Sequence, residues 1–201
     1  TVVVGFDFRF GHLGAGDPES LRQMAAGRFD VEVVQPFHMT GEKVSSTLIR
    51  DCLEQGDLLR VKQLLGRHFA LTGTVVHGAA RGRQIGFPTA NIELDGPYVV
   101  PCNGVYAVRL QWAGQSYNGV MNIGTKPTFE GDSTRRTLEA HLFDFSQSIY
   151  GEYVTVELIS YIRPERKFNS IDELIAQIGR DVNTAKKQLG YPLLNANADS
   201  H

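Results

Sequence analysis

The chain has 201 residues, 42% of them hydrophobic, with 20 Lys and Arg against 22 Asp and Glu for a formal net charge of -2. That length can bury a core without covalent staples, and the balanced charge gives no sign of a general affinity for nucleic acid or acidic membranes, although it is compatible with a local basic patch. Two cysteines in no CxxC arrangement, Cys52 and Cys102, exclude a disulfide framework or a cysteine zinc site and suit a reducing cytoplasm.

No apolar run approaches the roughly 18 residues of a bilayer span, and no signal-peptide pattern opens the chain. Thr1 is not an initiator methionine. The β-branched run over residues 1–4 reads as a buried strand that needs neighbours, so the chain is expected to lack an N-terminal part. A second such run, over residues 31–36, is separated from it by a stretch suited to a helix (residues 18–26), which predicts βαβ units with a parallel sheet. In SSTLIRDCLEQ, Ser45 or Ser46 can cap a helix whose apolar face carries Leu48, Ile49, Cys52 and Leu53. Residues 58–65 predict a second short helix, ended by Gly66.

Beyond Gly66 the segments become short, alternating and glycine-punctuated. Residues 105–112 and 116–123 flank Ala113-Gly114-Gln115 as a hairpin, and residues 136–145 and 152–162 form a second pair through Tyr150-Gly151. Five or six antiparallel strands without an intervening helix imply a small barrel or sandwich. A last helix follows, with Ser170 and Glu173 as an S-x-x-E capping box and Leu174, Ile175, Ile178 and Val182 as its buried stripe. Gly190 and Pro192 end it, and a polar tail follows. The expected division is residues 1–66, 67–190 and a tail of 191–201.

The densest chemistry lies in HGAARGRQIGFPTANI. Gly78, Gly82 and Gly86 allow close backbone approach, with Arg81 and Arg83 beside them, although the spacing is not a Walker loop. Such a loop by itself is an ordinary surface turn as readily as a phosphate cradle. Pro88 then biases Phe87 to an extended path, on which Thr89 and Asn91 point to one side. A hydroxyl and an amide carbonyl are hard oxygen donors of the kind Mg²⁺ accepts beside phosphate oxygens; the bland alternative is a strand edge. On the strand around Glu139, the carboxylate shares a face with His141, Phe143 and Phe145, which suits a general base at the rim of an apolar pocket as well as a plain exposed glutamate. NIGTKPTF reads as a strand bent at Lys126-Pro127. Asn122, Thr125 and Thr128 are polar groups suited to a heteroaromatic ligand, and Phe129 offers a flat face. Ser46, Thr47 and Arg50 stand at a helix N-terminus, a phosphate site or simply a cap. The charges of RPERKF read as a solvated face.

The order GFDFRFG, SSTLIR, HGAARGRQIGFPTANI, GVMNIGTKPTF, LEAHLFDF, RPERKFNSIDELIAQI resembles the bacterial bifunctional riboflavin kinase/FMN adenylyltransferase (FAD synthetase) family over nearly the whole chain. The resemblance implies an α+β protein: a six-stranded antiparallel Greek-key barrel with a C-terminal helix, preceded by the back part of an α/β, Rossmann-like nucleotidyltransferase domain. It implies riboflavin, FMN and ATP/ADP as partners. It implies Mg-ATP binding at Thr89 and Asn91, with Pro88 in the same PTAN motif, and Glu139 as base toward the ribityl 5′-hydroxyl. By the same token Gly78 to Arg83 cover the phosphates, and Asn122, Thr125, Pro127, Thr128 and Phe129 border the nucleotide and flavin pockets. SSTLIR resembles a phosphate-binding motif of the adenylyltransferase domain. The oligomeric state is not set by the sequence, and a homo-oligomer is compatible with it. The rival readings are a non-catalytic flavin-binding barrel, which needs neither the Thr89/Asn91 pair nor a rim carboxylate, and nucleotidyl transfer alone.

The family's GxFDGxHxGH-type signature does not occur in the sequence. Incubating the 201-residue chain with FMN and Mg-ATP is therefore expected to give no FAD by chromatography; FAD formation would contradict this reading.

Overall fold

The structure, a computed structural model, describes residues 1–78, 82, 85–127 and 134–191. The chain forms two compact units, Thr1–Leu48 and Ile49–His201. In the first, β1 (Val2–Gly5) pairs in parallel with β2 (Val31–Val34), and α1 (Pro18–Ala25) connects them. The Asp17 carboxylate accepts from the Ser20 N–H at 2.8 Å while the Ser20 hydroxyl accepts from the Asp17 N–H, and Pro18 occupies the first helical position, where its missing N–H costs nothing. A short hairpin, β3 (His38–Met39) and β4 (Glu42–Lys43), follows, which no alternation in the sequence marks. Lys43 ties it to the GFDF segment through an ion pair with Asp7 and a place over the Phe6 ring.

Helix α2 (Ser46–Gln55) runs across the division, and Ser45 accepts from the Leu48 N–H at its start. Helix α3 (Leu58–Leu65), capped by Asp57 and ended by Gly66 in the left-handed region, buries Leu58, Val61 and Leu64. It packs against β5 and β10 of the barrel, so the expected division at residue 66 falls inside the second unit.

Strands β5 (Phe69–Val76), β6 (Ala90–Leu94), β7 (Gly104–Trp112), β8 (Gln115–Pro127), β9 (Thr134–Leu142) and β10 (Tyr153–Arg163) close into a barrel. Their order around it is β5-β6-β9-β8-β7-β10, every pair antiparallel, which is the expected Greek-key barrel; β9 and β10 are not neighbours in it, so the second pair expected through Tyr150-Gly151 does not form. The β7–β8 loop is two residues rather than three, because Trp112 pairs with Gln115 and both Ala113 and Gly114 take positive φ, the turn that matches strand twist. Strand β8 also runs past the expected bend: Pro127 pairs with Thr134 at the ladder end, where a missing N–H is tolerated.

Alternation sorts the side chains. Leu71, Val75, Tyr106, Val108, Leu110, Met121, Ile123, Leu138, Ala140, Val154, Val156 and Leu158 are buried. The Tyr106 hydroxyl donates to the Cys102 carbonyl at 2.5 Å, and burial pushes its titration well above the ordinary range, so it remains a donor. On the outer face, Val105, Ala107 and Val120 form a second cluster with Phe143 and Ala185.

Helix α4 (Ile171–Gln188) supplies the cover. Ser170 accepts from the Glu173 N–H as expected, but the Glu173 carboxylate reaches the Asn169 N–H instead of closing the box on Ser170. Its buried line is Gln177, Asp181 and Ala185 rather than the apolar stripe the sequence suggested. Asp181 is 3% exposed and takes a two-pronged bond from Arg163 at the end of β10, at 2.7 to 3.1 Å, plus a 2.7 Å bond from Gln177. Removing one member of such a pair strands the other charge, which costs about 3 kcal/mol or more. Asp181→Ala should therefore lower the unfolding free energy by about 3 kcal/mol in urea titrations, comparable to Leu110→Ala in the barrel core, where ~2–5 kcal/mol is typical.

Candidate active site

Strand register carries the site. Asn91 on β6 lies opposite Glu139 on β9, and Glu139 lies opposite Asn122 on β8. Asn122 in turn lies opposite Val105 on β7, and Val105 opposite Arg163 on β10. In-register residues of adjacent strands share a face about 4.8 Å apart. The inward neighbours Ile92, Leu138 and Ile123 are buried, so this row stands on the outer face.

Two cavities of about 300 and 330 Å³ share Thr89; the first takes in Glu139, Asn122, Val105 and Arg163 of the row, and Asn91 lines neither. The first lies between the barrel's outer face, α4 and the segment after β10. Its polar lining includes Thr89, Asn122, Glu139, Arg163 and Glu165, and its apolar walls are Phe87, Val105, Val120, Phe168, Leu174 and Ile178. The expected aromatic partners of Glu139 are thus replaced. Phe143 follows Glu139 and His141 but is buried in the cluster with Ala185. Asp144 then turns at positive φ, which carries Phe145 to Trp112 and Tyr117 and to the second cavity. The second cavity is bounded by Pro88, Ala90 and Leu142 on one side and by residues 145–150 on the other, where Tyr150 stacks on His77 at 3.8 Å.

The glycine loop lies directly on the Thr/Asn pair. A Cβ at Gly78 would fall 2.0 Å from Asn91 Nδ2, and one at Gly82 would fall 2.3 Å from the Phe87 carbonyl oxygen and 3.3 Å from Thr89 Oγ1. Only glycine permits that approach. The loop is folded back by the Phe87 N–H, which donates to the Gly82 carbonyl at 2.8 Å, and His141 Nδ1 meets the Pro88 carbonyl at 2.9 Å. Among the described residues no group of three His, Cys, Asp or Glu side chains is placed to hold a metal ion. The side chains facing the loop, Thr89 and Asn91, are neutral and each carries an oxygen. Such a set suits Mg²⁺ that arrives with its counter-charge on a nucleotide, since that ion keeps phosphate and water ligands and needs few from protein.

Of the other expected site residues, Gly86 is exposed with φ 85°. Thr125 is exposed beside Asn103, and Pro127 ends β8. Ser46, Thr47 and Arg50 are exposed on α2 and line neither cavity. Arg81, Arg83, Thr128 and Phe129 lie outside the described residues.

RPERKF does not form the plain solvated face that its charges suggest. Arg163, Glu165, Arg166 and Phe168 line the first cavity, with Arg166 over the Phe168 ring at 4.7 Å. An aromatic residue at the end of a charged run was the available signal. Glu165 accepts from Asn103 Nδ2 at 3.0 Å and from Asn122 Nδ2 at 3.2 Å.

The family model described as riboflavin kinase matches residues 65–189, and the one described as FAD synthetase matches residues 1–48. The bifunctional riboflavin kinase/FMN adenylyltransferase of Bacillus subtilis (strain 168) is 44% identical over 184 residues, 91% of this chain and 58% of that protein. Its Haemophilus influenzae counterpart is 46% identical over 91% of this chain and 59% of the relative. The chain thus spans about three-fifths of the length of the curated relatives it matches. A solved structure from Streptococcus pneumoniae, described as a macrolide-efflux protein, superposes with TM-score 0.74 at 38% identity, over 88% of this chain and 57% of that one. No described helix of the present chain is long and apolar enough to cross a membrane. With the kinase match covering the barrel and α4 together, the chain belongs to the riboflavin kinase family.

Proposed function

We propose that this chain transfers the γ-phosphoryl group of Mg-ATP to the 5′-hydroxyl of riboflavin, giving FMN and ADP. The observation that carries the reading is the pair of cavities that meet at Thr89, with Glu139 on the side of the apolar one. The apolar cavity suits the flavin ring between Val105, Val120 and the α4 residues Leu174 and Ile178. The second suits the nucleotide, its base beside Tyr150 and its phosphates turned toward the glycine loop.

In this reading Thr89 and Asn91 hold Mg²⁺, which would neutralise charge on the transferring phosphate. The Gly78 and Gly82 backbone closes over the phosphates, with Arg81 and Arg83 adding positive charge. Glu139 orients the substrate hydroxyl and takes its proton as the new O–P bond forms and the bond to ADP breaks. Positioning and charge neutralisation account for most of the rate, because phosphoryl transfer asks little covalent chemistry of the protein.

We further propose that residues 67–190 are the kinase domain and residues 1–66 belong to an adenylyltransferase domain, as the FAD synthetase match over residues 1–48 supports. The whole protein would then convert FMN to FAD as well, and would work in the cytoplasm on small-molecule partners.

Chromatography of products from riboflavin and Mg-ATP tests the core of this; a chain that binds riboflavin but never yields FMN would be a flavin-binding barrel instead. Glu139→Gln should lower kcat by roughly 10²–10⁴-fold, the usual worth of a general base; near-parental turnover would remove Glu139 from that role. Asn91→Ala should raise the Mg²⁺ and ATP concentrations needed for half-maximal rate and leave riboflavin binding intact. Gly78→Ala, by displacing the Asn91 amide, should shift the same two requirements in the same direction.

A further inference from the structure

Asn122 and its neighbours form a chain of hydrogen bonds whose direction is set by chemistry. Arg136 can only donate. It gives Nη2 to the Val100 and Pro101 carbonyls, at 3.1 and 2.7 Å, and Nη1 to Asn103 Oδ1. Asn103 must therefore face Arg136 with its oxygen, which leaves its nitrogen for Glu165 Oε2. An ionised Glu165 can only accept, so Asn122 must face Oε1 with its nitrogen. Glu165 Oε1 also lies where a Cβ on Gly124 would stand, 2.5 Å away, so the carboxylate sits close against β8. What Asn122 has left to offer the cavity is its carbonyl oxygen, a pure acceptor.

That acceptor stands one strand from Glu139 in the same row. Adjacent strands are about 4.8 Å apart, which is a span along a polyol chain. We infer that Asn122 reads the substrate's sugar-alcohol chain, accepting a hydrogen bond from a hydroxyl next to the one that reacts, and that Arg136, Asn103 and Glu165 are positioning residues that hold its amide in that orientation. The inference rests on the riboflavin kinase reading and deepens it. Its consequence is a division of acceptors: Asn122 occupies the neighbouring hydroxyl's hydrogen, so Glu139 receives the reacting one.

A nearly isosteric change separates this from mere packing. In Glu165→Gln, Asn103 cannot turn, because Arg136 needs its oxygen. Gln at 165 must then give its carbonyl to Asn103 and its NH₂ to Asn122, and Asn122 must turn round to accept. The cavity then meets a donor, and the neighbouring hydroxyl's hydrogen competes for Glu139.

The test uses the 201-residue chain and two ligands: riboflavin, and lumiflavin, which has the same ring system with a methyl group in place of the polyol. Binding is read by quenching of flavin fluorescence and turnover by FMN formation. Asn122→Ala should weaken riboflavin about five- to tenfold, the worth of one hydrogen bond, and lumiflavin by less than about twofold. Glu165→Gln should lower kcat several-fold with lumiflavin binding and thermal midpoint unchanged. Equal weakening of both flavins by Asn122→Ala, or parental kcat in Glu165→Gln, would overturn the inference. A parent chain that makes FMN while Asn122→Ala matches its riboflavin affinity sinks this inference alone; a parent that binds neither flavin sinks the kinase reading and this with it.

Discussion

The register of the β6–β9–β8 ladder is the constraint on which the rest of this protein depends. It sets Asn91, Glu139 and Asn122 side by side on the outer face. The same ladder sends Ile92, Leu138 and Ile123 into the barrel. A slip of one residue would exchange the two sets, burying a carboxylate and two amides and exposing the core. Stability and chemistry are therefore enforced by the same hydrogen bonds, and closure of the barrel leaves no free edge along which the register could drift.

What closes the first cavity is less regular. The barrel contributes a flat wall, and α4 with the segment before it contributes the rest. The helix does not dock through hydrophobic burial alone: Ala185 and Val182 join the apolar cluster, while Asp181 is anchored by Arg163. A buried ion pair of this kind tolerates only a narrow geometry, because each charge must keep its partners to offset its desolvation. It fixes α4 against the end of β10 and so fixes Leu174 and Ile178 over the cavity, while Phe168 lies on the connecting segment.

The two cavities differ in kind. One combines apolar walls with a few polar groups, as small-molecule sites do. The other is bounded by Pro88, Ala90 and residues 145–150, and the two meet at Thr89, whose hydroxyl Gly82 closely approaches. Neutral donors there leave room for the charge of a phosphate chain and its cation, whereas a carboxylate cluster would hold a metal without any nucleotide.

Much of this was legible in the sequence. Alternation marked four of the barrel strands and implied five or six, and glycine punctuation marked the change of character after Gly66, because each depends on residues near one another in the chain. Glu139 could be placed on one face with His141 for the same reason, but its apolar neighbours could not: Asp144 breaks the alternation, and the walls come from Phe87, Phe168 and α4 instead. The role of RPERKF, the polar buried line of α4 and the Arg136–Asn103–Glu165–Asn122 chain were out of reach, since a charged residue reads as solvated until its distant partner is known. Local pattern and motif thus determined most of the elements and the family. Only the tertiary structure decided which strands share a row, because register across a closed barrel is a property of pairs of segments that no single segment carries.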